Sequence, residues 1–219
     1  MSDWHLPGNP AIAVPRPAAL GLFVDRLDRL LSRGATEPEV LASGSAWLAE
    51  LVASDDWLPE PWTRPGERYR QYPLHVDPAG RFSVVSFVWG PGQATPIHDH
   101  LTWGLIGVLR GAEFSQGFHF AGRHAMVPSG PPVRLERGQV DAVSPNIGDV
   151  HQVRNAFDDR VSISIHAYGA DIGRVERATY SEDGTPKPFV SGYSDIPNPV
   201  IPAEAGTFGV RPGSRPSPG

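Results

Sequence analysis

The sequence predicts a mainly β protein in which a helical N-terminal segment precedes a small barrel or sandwich of short strands. Three observations lead to this fold class. Apolar residues recur at helical spacing early in the chain, and short apolar runs separated by Gly, Pro, Asn or Asp fill its middle. Glycine and proline each occur 24 times among the 219 residues, which favours turns and short strands over long helices.

Residues 1–60 form the predicted helical segment. Apolar side chains recur every three or four positions over residues 17–33, which predicts an amphipathic helix, and Gly34 follows as its stop. The order Thr-Glu-Pro-Glu at 36–39 is that of a capping box with proline in the first turn, so a second helix is expected to begin there. We expect this segment to pack on the barrel.

Residues 61–195 form the predicted barrel. Short apolar or β-rich runs predict its strands, at Phe82–Trp89, Leu105–Leu109, Gly117–Phe120, Val140–Val143, Gln152–Asn155 and Val161–Tyr168. Residues 196–219 are rich in proline and glycine and have no periodicity, so we predict an extended C-terminal tail there.

The composition excludes several classes of protein. A net charge of -5 argues against nucleic-acid binding through a basic surface. The absence of cysteine rules out disulfides, thiolate metal ligands, cysteine nucleophiles and any crosslink that needs a cysteine. No apolar run is long enough to cross a membrane and no secretory signal is visible at the N-terminus, so a cytoplasmic protein without a membrane partner is expected.

Three histidines form the candidate metal site. His98 and His100 are two residues apart, and alternate residues of a strand point to the same face, so both imidazoles can aim at one point. His151 could supply a third imidazole from another strand and leave open positions opposite, as a catalytic metal requires. Taken alone, the His-x-His pair would more often be two polar residues on a solvated strand face.

The spacing around these histidines resembles the two motifs of the cupin superfamily. The first is carried by Gly92, His98, His100, Gly104 and Gly111, and the second by Pro145, Gly148, His151 and Asn155. The resemblance implies a cupin barrel, the double-stranded β-helix or jelly-roll fold. Many cupins have a glutamate ligand where this chain has Gly104, and a divalent ion held by neutral imidazoles alone would favour anionic ligands such as a thiolate.

A second group of polar residues lies on one predicted strand. Ser164, His166 and Tyr168 alternate with apolar residues and so share one face, where a Ser–His–Tyr relay could orient the phenol as a proton donor or acceptor. In isolation, a strand with a polar outer face is the simpler interpretation. Buried barrel strands, however, rarely place His and Tyr together without partners.

Four segments together resemble the cysteine dioxygenase family of thiol dioxygenases: Phe82–Gly90, Ile97–His100, Gly148–Asn155 and Ser164–Tyr168. The resemblance implies Fe(II) held by His98, His100 and His151, with Ser164, His166 and Tyr168 around the reacting groups. It also implies that both atoms of O2 are added to a thiol to give a sulfinate.

Two departures bear on the substrate. Animal members carry a cysteine joined to the active-site tyrosine, and this chain has Gly104 in the matching region and no cysteine, so Tyr168 stays unmodified. Around Gln71 the chain resembles the bacterial branch of 3-mercaptopropionate dioxygenases. That resemblance implies Gln71 as a substrate-binding residue and Arg177 as the partner of the substrate carboxylate, with Arg70 and Arg174 as alternatives.

The sequence therefore predicts a mononuclear non-haem Fe(II) thiol dioxygenase whose partners are a small thiol and O2. The first substrate is 3-mercaptopropionate and the alternative is L-cysteine. Two other functions stay open: a cupin enzyme acting on carbon substrates, and a non-catalytic metal-binding cupin. The oligomeric state is left open.

Overall fold

Two helices precede the strands, as predicted. The computed structural model describes residues 16–122 and 125–195, so the predicted tail at 196–219 lies outside the described residues. Helix α1 (Ala18–Ser32) ends before Gly34, whose φ of 74° few other residues adopt readily. Helix α2 (Glu37–Val52) begins with the predicted capping box, in which the Thr36 N–H donates to the Glu39 carboxylate at 2.8 Å. Within the described residues, neither helix is long and apolar enough to cross a membrane.

The described remainder of the chain consists mainly of short strands. A 3-10 turn (Glu60–Thr63) leads into β1 (Arg70–Val76), β2 (Ser83–Trp89), β3 (Ile97–His98), β4 (Gly104–Arg110), β5 (Ala112–Phe120), β6 (Met126–Pro128), β7 (Val133–Glu136), β8 (Val140–Val143), β9 (His151–Asn155), β10 (Ser162–Tyr168), β11 (Arg177–Tyr180) and β12 (Pro186–Phe189). Each run predicted as a strand corresponds to one of these. Several others, such as β12 with two prolines, lack the apolar alternation that would have indicated a strand.

The strands form two sheets. One has the order β1-β2-β10-β4-β8, and the other has the order β12-β11-β3-β9-β5-β6, with β7 paired to β5. The pairs are antiparallel, and β10 lies at the centre of the first sheet between β2 and β4. This arrangement places β10 opposite the strands that carry the predicted metal ligands.

Strand β10 is buried on both of its faces. Ile163, Ile165 and Ala167 pack in one core cluster with the apolar faces of α1 and α2. Tyr168, on the other face, packs in a second cluster with Val85, Phe87 and Trp89 of β2. The polar residues of β10 therefore face the protein interior and not the solvent, which contradicts the simpler interpretation of this strand.

Candidate metal centre

The three predicted ligands come together in the second sheet. His98 in β3 and His151 in β9 are directly opposite each other in the strand register, and His100 follows shortly after His98. The imidazole centroids are 4.8 to 4.9 Å apart, and one ring nitrogen from each residue lies within 4.8 Å of the other two. All three side chains are buried. Such a cluster of buried imidazoles is typical of a metal site.

His100 reaches the site by a different route from the predicted one. Strand β3 ends at His98, so the two histidines do not share a strand face, and that expectation was wrong. The chain turns at Leu101, which has a φ of 59°. The Asp149 carboxylate accepts the backbone N–H groups of His100 and Leu101 at 3.0 and 2.9 Å and thereby fixes the turn.

Each imidazole is oriented by a hydrogen bond from its Nδ1. His98 donates to the Pro96 carbonyl at 3.0 Å, and His100 donates to the Asp149 carbonyl at 3.1 Å. His151 has the Ser115 hydroxyl 3.3 Å from its Nδ1. With Nδ1 engaged, Nε2 is the nitrogen left to bind a metal, which is the usual arrangement around ligating histidines.

The electrostatics of the cluster suit a metal ion. Burial, followed by the neighbouring imidazoles, holds the pKa of His98 and of His151 well below the ordinary value, so both rings are neutral. The His100 Nε2 is buried and has no hydrogen-bond partner among the described residues, which is costly for a polar atom unless a metal binds it. The residues therefore fit a divalent ion held by neutral nitrogen ligands.

The predicted relay exists as a continuous chain of hydrogen bonds. The Ser164 hydroxyl lies 2.8 Å from His166 Nε2, and His166 Nδ1 lies 2.8 Å from the Tyr168 hydroxyl. The Trp89 indole N–H donates to Ser164 at 3.2 Å. Tyr168 stacks on the His100 ring at 5.5 Å between centroids, so the phenol end of the relay adjoins the metal site.

A cavity of about 400 Å³ opens beside these groups. His98 and Tyr168 line it together with both predicted substrate residues, Arg177 and Gln71. Aromatic and polar side chains complete its wall, among them Tyr69, Phe87, Thr95, Thr179, Lys187 and Phe189. One metal ligand, the end of the relay and the predicted carboxylate partner thus line the same cavity.

Arg177 is a buried cation with few partners. Its guanidinium donates to Ser191 at 3.0 Å and more weakly to the Asp99 carbonyl at 3.4 Å, and it lies over the Phe189 ring. It forms no ion pair with any described residue, and its Nε has no hydrogen-bond partner among them. Burial lowers its pKa from the ordinary value, but an arginine stays charged. Such a cation is ready to bind an anion.

The two alternative arginines are less suitable. Arg174 is 86% exposed in its side chain and pairs with Asp171 at 3.4 Å. Arg70 lies in β1, and neither Arg70 nor Arg174 lines the cavity. Of the three arginines considered from the sequence, only Arg177 faces the metal site.

The comparisons with known proteins identify the family. The family model described as cysteine dioxygenase type I matches residues 65–181, which is more than half of the chain. The chain belongs to the cysteine dioxygenase type I family. Members of this family use non-haem iron, and a metal-dependent thiol dioxygenase with a cupin fold is the function class that membership and the three-histidine site indicate.

Solved structures show similarity at low sequence identity. A conserved double-stranded β-helix protein from Klebsiella pneumoniae matches with a TM-score of 0.41 and 17% identity, covering 62% of this chain and 96% of its own. A cupin superfamily protein from Desulfitobacterium hafniense matches with a TM-score of 0.40 and 12% identity, covering 54% and 94%. An oxalate oxidase in complex with the substrate analogue glycolate matches with a TM-score of 0.37 and 13% identity, covering 51% and 55%.

Gly104, in this cysteine dioxygenase family member, lies against the relay tyrosine. A Cβ atom at this position would be 3.0 Å from Tyr168 Cδ1 and Cε1 and 3.0 Å from Val143 Cγ2. Any side chain here would press on the ring. The glycine that replaces the usual cupin glutamate therefore leaves room for an unmodified Tyr168 to stack on His100.

Several residues of the site were not predicted from the sequence. Asp149 and Ser115 orient ligands, and Lys187 and Phe189 complete the cavity from β12. Asp149 could have been suspected, because it is a potential acceptor two residues before His151. The β12 residues gave no signal, since they reach the site only through the pairing of β12 with β11.

We predict that Asp149→Ala lowers the affinity for iron by roughly 10- to 100-fold, the usual effect of removing a partner that orients a ligating histidine. The variant keeps the backbone carbonyl but loses the carboxylate, which accepts the His100 and Leu101 N–H groups and lies 3.1 Å from His100 Nδ1, so the turn and the His100 ring are held less firmly. Anaerobic titration of the apoprotein with Fe(II) measures the affinity. Asp56→Ala, at an exposed position, is the matched control. An unchanged affinity in Asp149→Ala would show that Asp149 does not support the site.

Proposed function

We propose that the protein is a mononuclear non-haem Fe(II) thiol dioxygenase whose substrate is 3-mercaptopropionate, and that the product is the sulfinate. The observation that carries the choice of substrate is the buried Arg177 guanidinium, which has no ion-pair partner among the described residues, on the wall of the cavity that His98 lines. A thiol acid has a sulfur for the metal side and a carboxylate for the arginine. The sulfur supplies all four electrons for O2, so no separate reductant is needed.

The charge of the cavity favours a thiol acid without an amine. Arg177 and Lys187 are its cations, and among the described residues that line it none is acidic. Gln71 offers an uncharged amide there. The ammonium group of L-cysteine would face two cations without a carboxylate partner, whereas 3-mercaptopropionate presents only negative charge.

The residues of the chain have distinct tasks in this proposal. Arg177 binds the carboxylate and so fixes the position of the substrate, including its sulfur, in the cavity. Iron(II), when bound by His98, His100 and His151, supplies the site where thiolate and O2 meet and the redox chemistry that joins them. Phe87 and Phe189 give the cavity apolar walls that exclude water from the carbon chain of the substrate.

Tyr168 is the group that exchanges a proton with the cavity. Its phenol is 2% exposed and hydrogen-bonded to His166, and burial raises its pKa above the ordinary value, so it stays protonated. A neutral phenol beside the reacting sulfur can donate or accept a hydrogen bond as charge develops there.

The substrate assignment predicts a ranking of thiols in an oxygen-consumption assay. We expect kcat/KM for 3-mercaptopropionate to exceed that for L-cysteine by roughly 10- to 100-fold, the range that follows from burying the ammonium group of L-cysteine without a partner. Cysteamine, which lacks a carboxylate, should be poor. Arg177→Ala should raise KM for the thiol acids and leave the iron content unchanged, and Arg177→Lys should recover part of the loss.

Arg174→Ala is the matched control, because Arg174 is an exposed arginine three residues away and outside the cavity. A kcat/KM for L-cysteine equal to or above that for 3-mercaptopropionate would overturn the substrate assignment. An unchanged KM in Arg177→Ala would overturn the role of this arginine. Oxygen uptake that is absent with every thiol in the iron-loaded protein would overturn the activity itself.

We predict that Tyr168→Phe keeps its iron and loses turnover by about 10- to 10,000-fold, the range for a positioned proton donor or acceptor. The measurement is kcat across pH with the iron content determined in the same sample. Tyr72→Phe removes the hydroxyl of another buried tyrosine, one that donates to the Arg64 carbonyl on the helix side of the sheet, and should retain full turnover. Activity equal to the parent in Tyr168→Phe at every pH would make the relay purely structural.

A further inference from the structure

A buried carboxyl group, not used by the proposed mechanism, lies at the far end of the relay. Glu113 is the second residue of β5 and is completely inaccessible to solvent. Neither of its carboxyl oxygens has a hydrogen-bond partner of normal geometry among the described residues. The hydroxyls of Ser162 and Ser164 and the indole N–H of Trp89 are the donors near enough to lower the pKa of this carboxyl group, and the Ser162 hydroxyl likewise has no other partner among the described residues. Ser164 is also the first member of the relay.

Within residues 16–122 and 125–195, no charged group compensates this carboxyl group. The groups that face it from β2 and β10 are the uncharged donors Trp89, Ser162 and Ser164, and the residue in register on β7 is Leu135. Glu113 makes no ion pair with a described residue. Burial raises its pKa to about 8, with the three donors opposing the rise. The carboxyl group can therefore be neutral or ionised close to neutral pH.

Ser164 connects the carboxyl group to the relay. Its oxygen already accepts the Trp89 N–H, and its single proton can point either to Glu113 or to His166 Nε2. If the Ser164 hydroxyl donates to one of these two partners, its oxygen must accept a hydrogen bond from the other. The direction of the Ser164 hydrogen bond therefore determines which nitrogen of His166 carries the proton, and this in turn determines whether Tyr168 donates to His166 or accepts from it.

Two arrangements follow from this choice. When Glu113 is protonated, it donates to Ser164, Ser164 donates to His166 Nε2, and the His166 Nδ1–H donates to the Tyr168 oxygen, so the phenol proton is free for the cavity. When Glu113 is ionised, it accepts the Ser164 proton, the His166 Nε2–H donates to Ser164, and the phenol donates to His166 Nδ1. The phenol then offers the cavity only an acceptor.

We propose that Glu113 is the terminal, positioning member of the relay, and that its proton sets the direction of the hydrogen bonds from Ser164 through His166 to Tyr168. Protonation of Glu113 makes Tyr168 a donor to the cavity, and ionisation makes it an acceptor. The consequence for catalysis rests on the proposed thiol dioxygenase function, but the direction of the hydrogen bonds does not.

The relay also accounts for the proton that a thiol releases when it binds as a thiolate. With Glu113 ionised, the thiol proton passes to the Tyr168 oxygen, the phenol proton to His166 Nδ1, the Nε2 proton to Ser164, and the Ser164 proton to Glu113. Four O–H, N–H or S–H bonds break and four form. The net result is a thiolate in the cavity and a neutral carboxyl group in the core, with no change in total charge.

The test is the tautomer of His166, read from the nitrogen chemical shifts of histidine-labelled protein loaded with diamagnetic Zn(II). In the parent protein we expect Nδ1–H at low pH to change to Nε2–H as pH rises through the titration of Glu113. Burial holds the pKa of His166 well below its ordinary value, so ring protonation does not interfere. In Glu113→Gln the tautomer should be independent of pH, whichever form the amide selects.

A second measurement follows the protonation of the carboxyl group itself. Infrared difference spectra across the same pH range should show the carbonyl band of a buried carboxylic acid, and this band should be absent in Glu113→Gln. Glu136→Gln, at an exposed position of β7, is the matched control and should keep both the band and the change of tautomer. Both measurements are made without a thiol, so they decide the proposal even if the protein oxidises none.

A His166 tautomer that does not change with pH in the parent protein would overturn the proposal. So would a change that persists in Glu113→Gln. If thiol oxidation is also confirmed, the pH profile of kcat/KM should lose one ionisation in Glu113→Gln while the iron content stays unchanged. A pH profile that keeps this ionisation in Glu113→Gln would show that Glu113 does not act on catalysis through the relay.

Discussion

Strand β10 must bury both of its faces, and much of the architecture serves that constraint. A central strand with both faces buried leaves no room for unsatisfied polar groups. The apolar face, with Ile163, Ile165 and Ala167, is covered by α1 and α2. Apolar neighbours cannot satisfy the polar groups of the other face, so its hydroxyl, imidazole and phenol satisfy one another in a single hydrogen-bonded chain. Both the helices that cover the apolar face and the relay that satisfies the polar face are therefore needed to bury β10.

The site is also unusual in burying ionisable groups without partners of opposite charge. The interior between the sheets contains neutral imidazoles, together with a guanidinium and a carboxyl group that form no ion pair within the part of the chain that the structure describes. Each would be costly in a structural core. In the proposed function each has a use: the imidazoles hold iron, Arg177 holds the carboxylate, and Glu113 exchanges the proton that the thiol gives up.

The sequence was sufficient to predict the parts of the protein that follow local patterns. The two helices follow the 3.6-residue period and the capping box, and β2, β4 and β10 follow runs of β-branched and apolar residues. His98 and His100, and the alternating residues of β10, could be picked out because each group is closely spaced in the sequence. His151 is 51 residues after His100 and was picked out by the resemblance of the motif around it.

The parts that were missed depend on contacts between distant segments. The turn that brings His100 to the site depends on Asp149, which is 49 residues away and could not be paired with it by spacing. Lys187 and Phe189 reach the cavity only because β12 pairs with β11, and β12 has two prolines in four residues. Glu113 interrupts the apolar pattern at the start of β5, so strand prediction began too late there, at Gly117.

The central claim is that three imidazoles present Nε2 to one iron ion while Arg177 binds the far end of the substrate. It is tested most directly by a crystal structure of the anaerobic Fe(II) protein with 3-mercaptopropionate. The account predicts iron bound to Nε2 of His98, His100 and His151, the substrate sulfur on the iron, and the carboxylate on the Arg177 guanidinium. Iron bound by other residues, or a carboxylate turned away from Arg177 toward the cavity mouth, would contradict it.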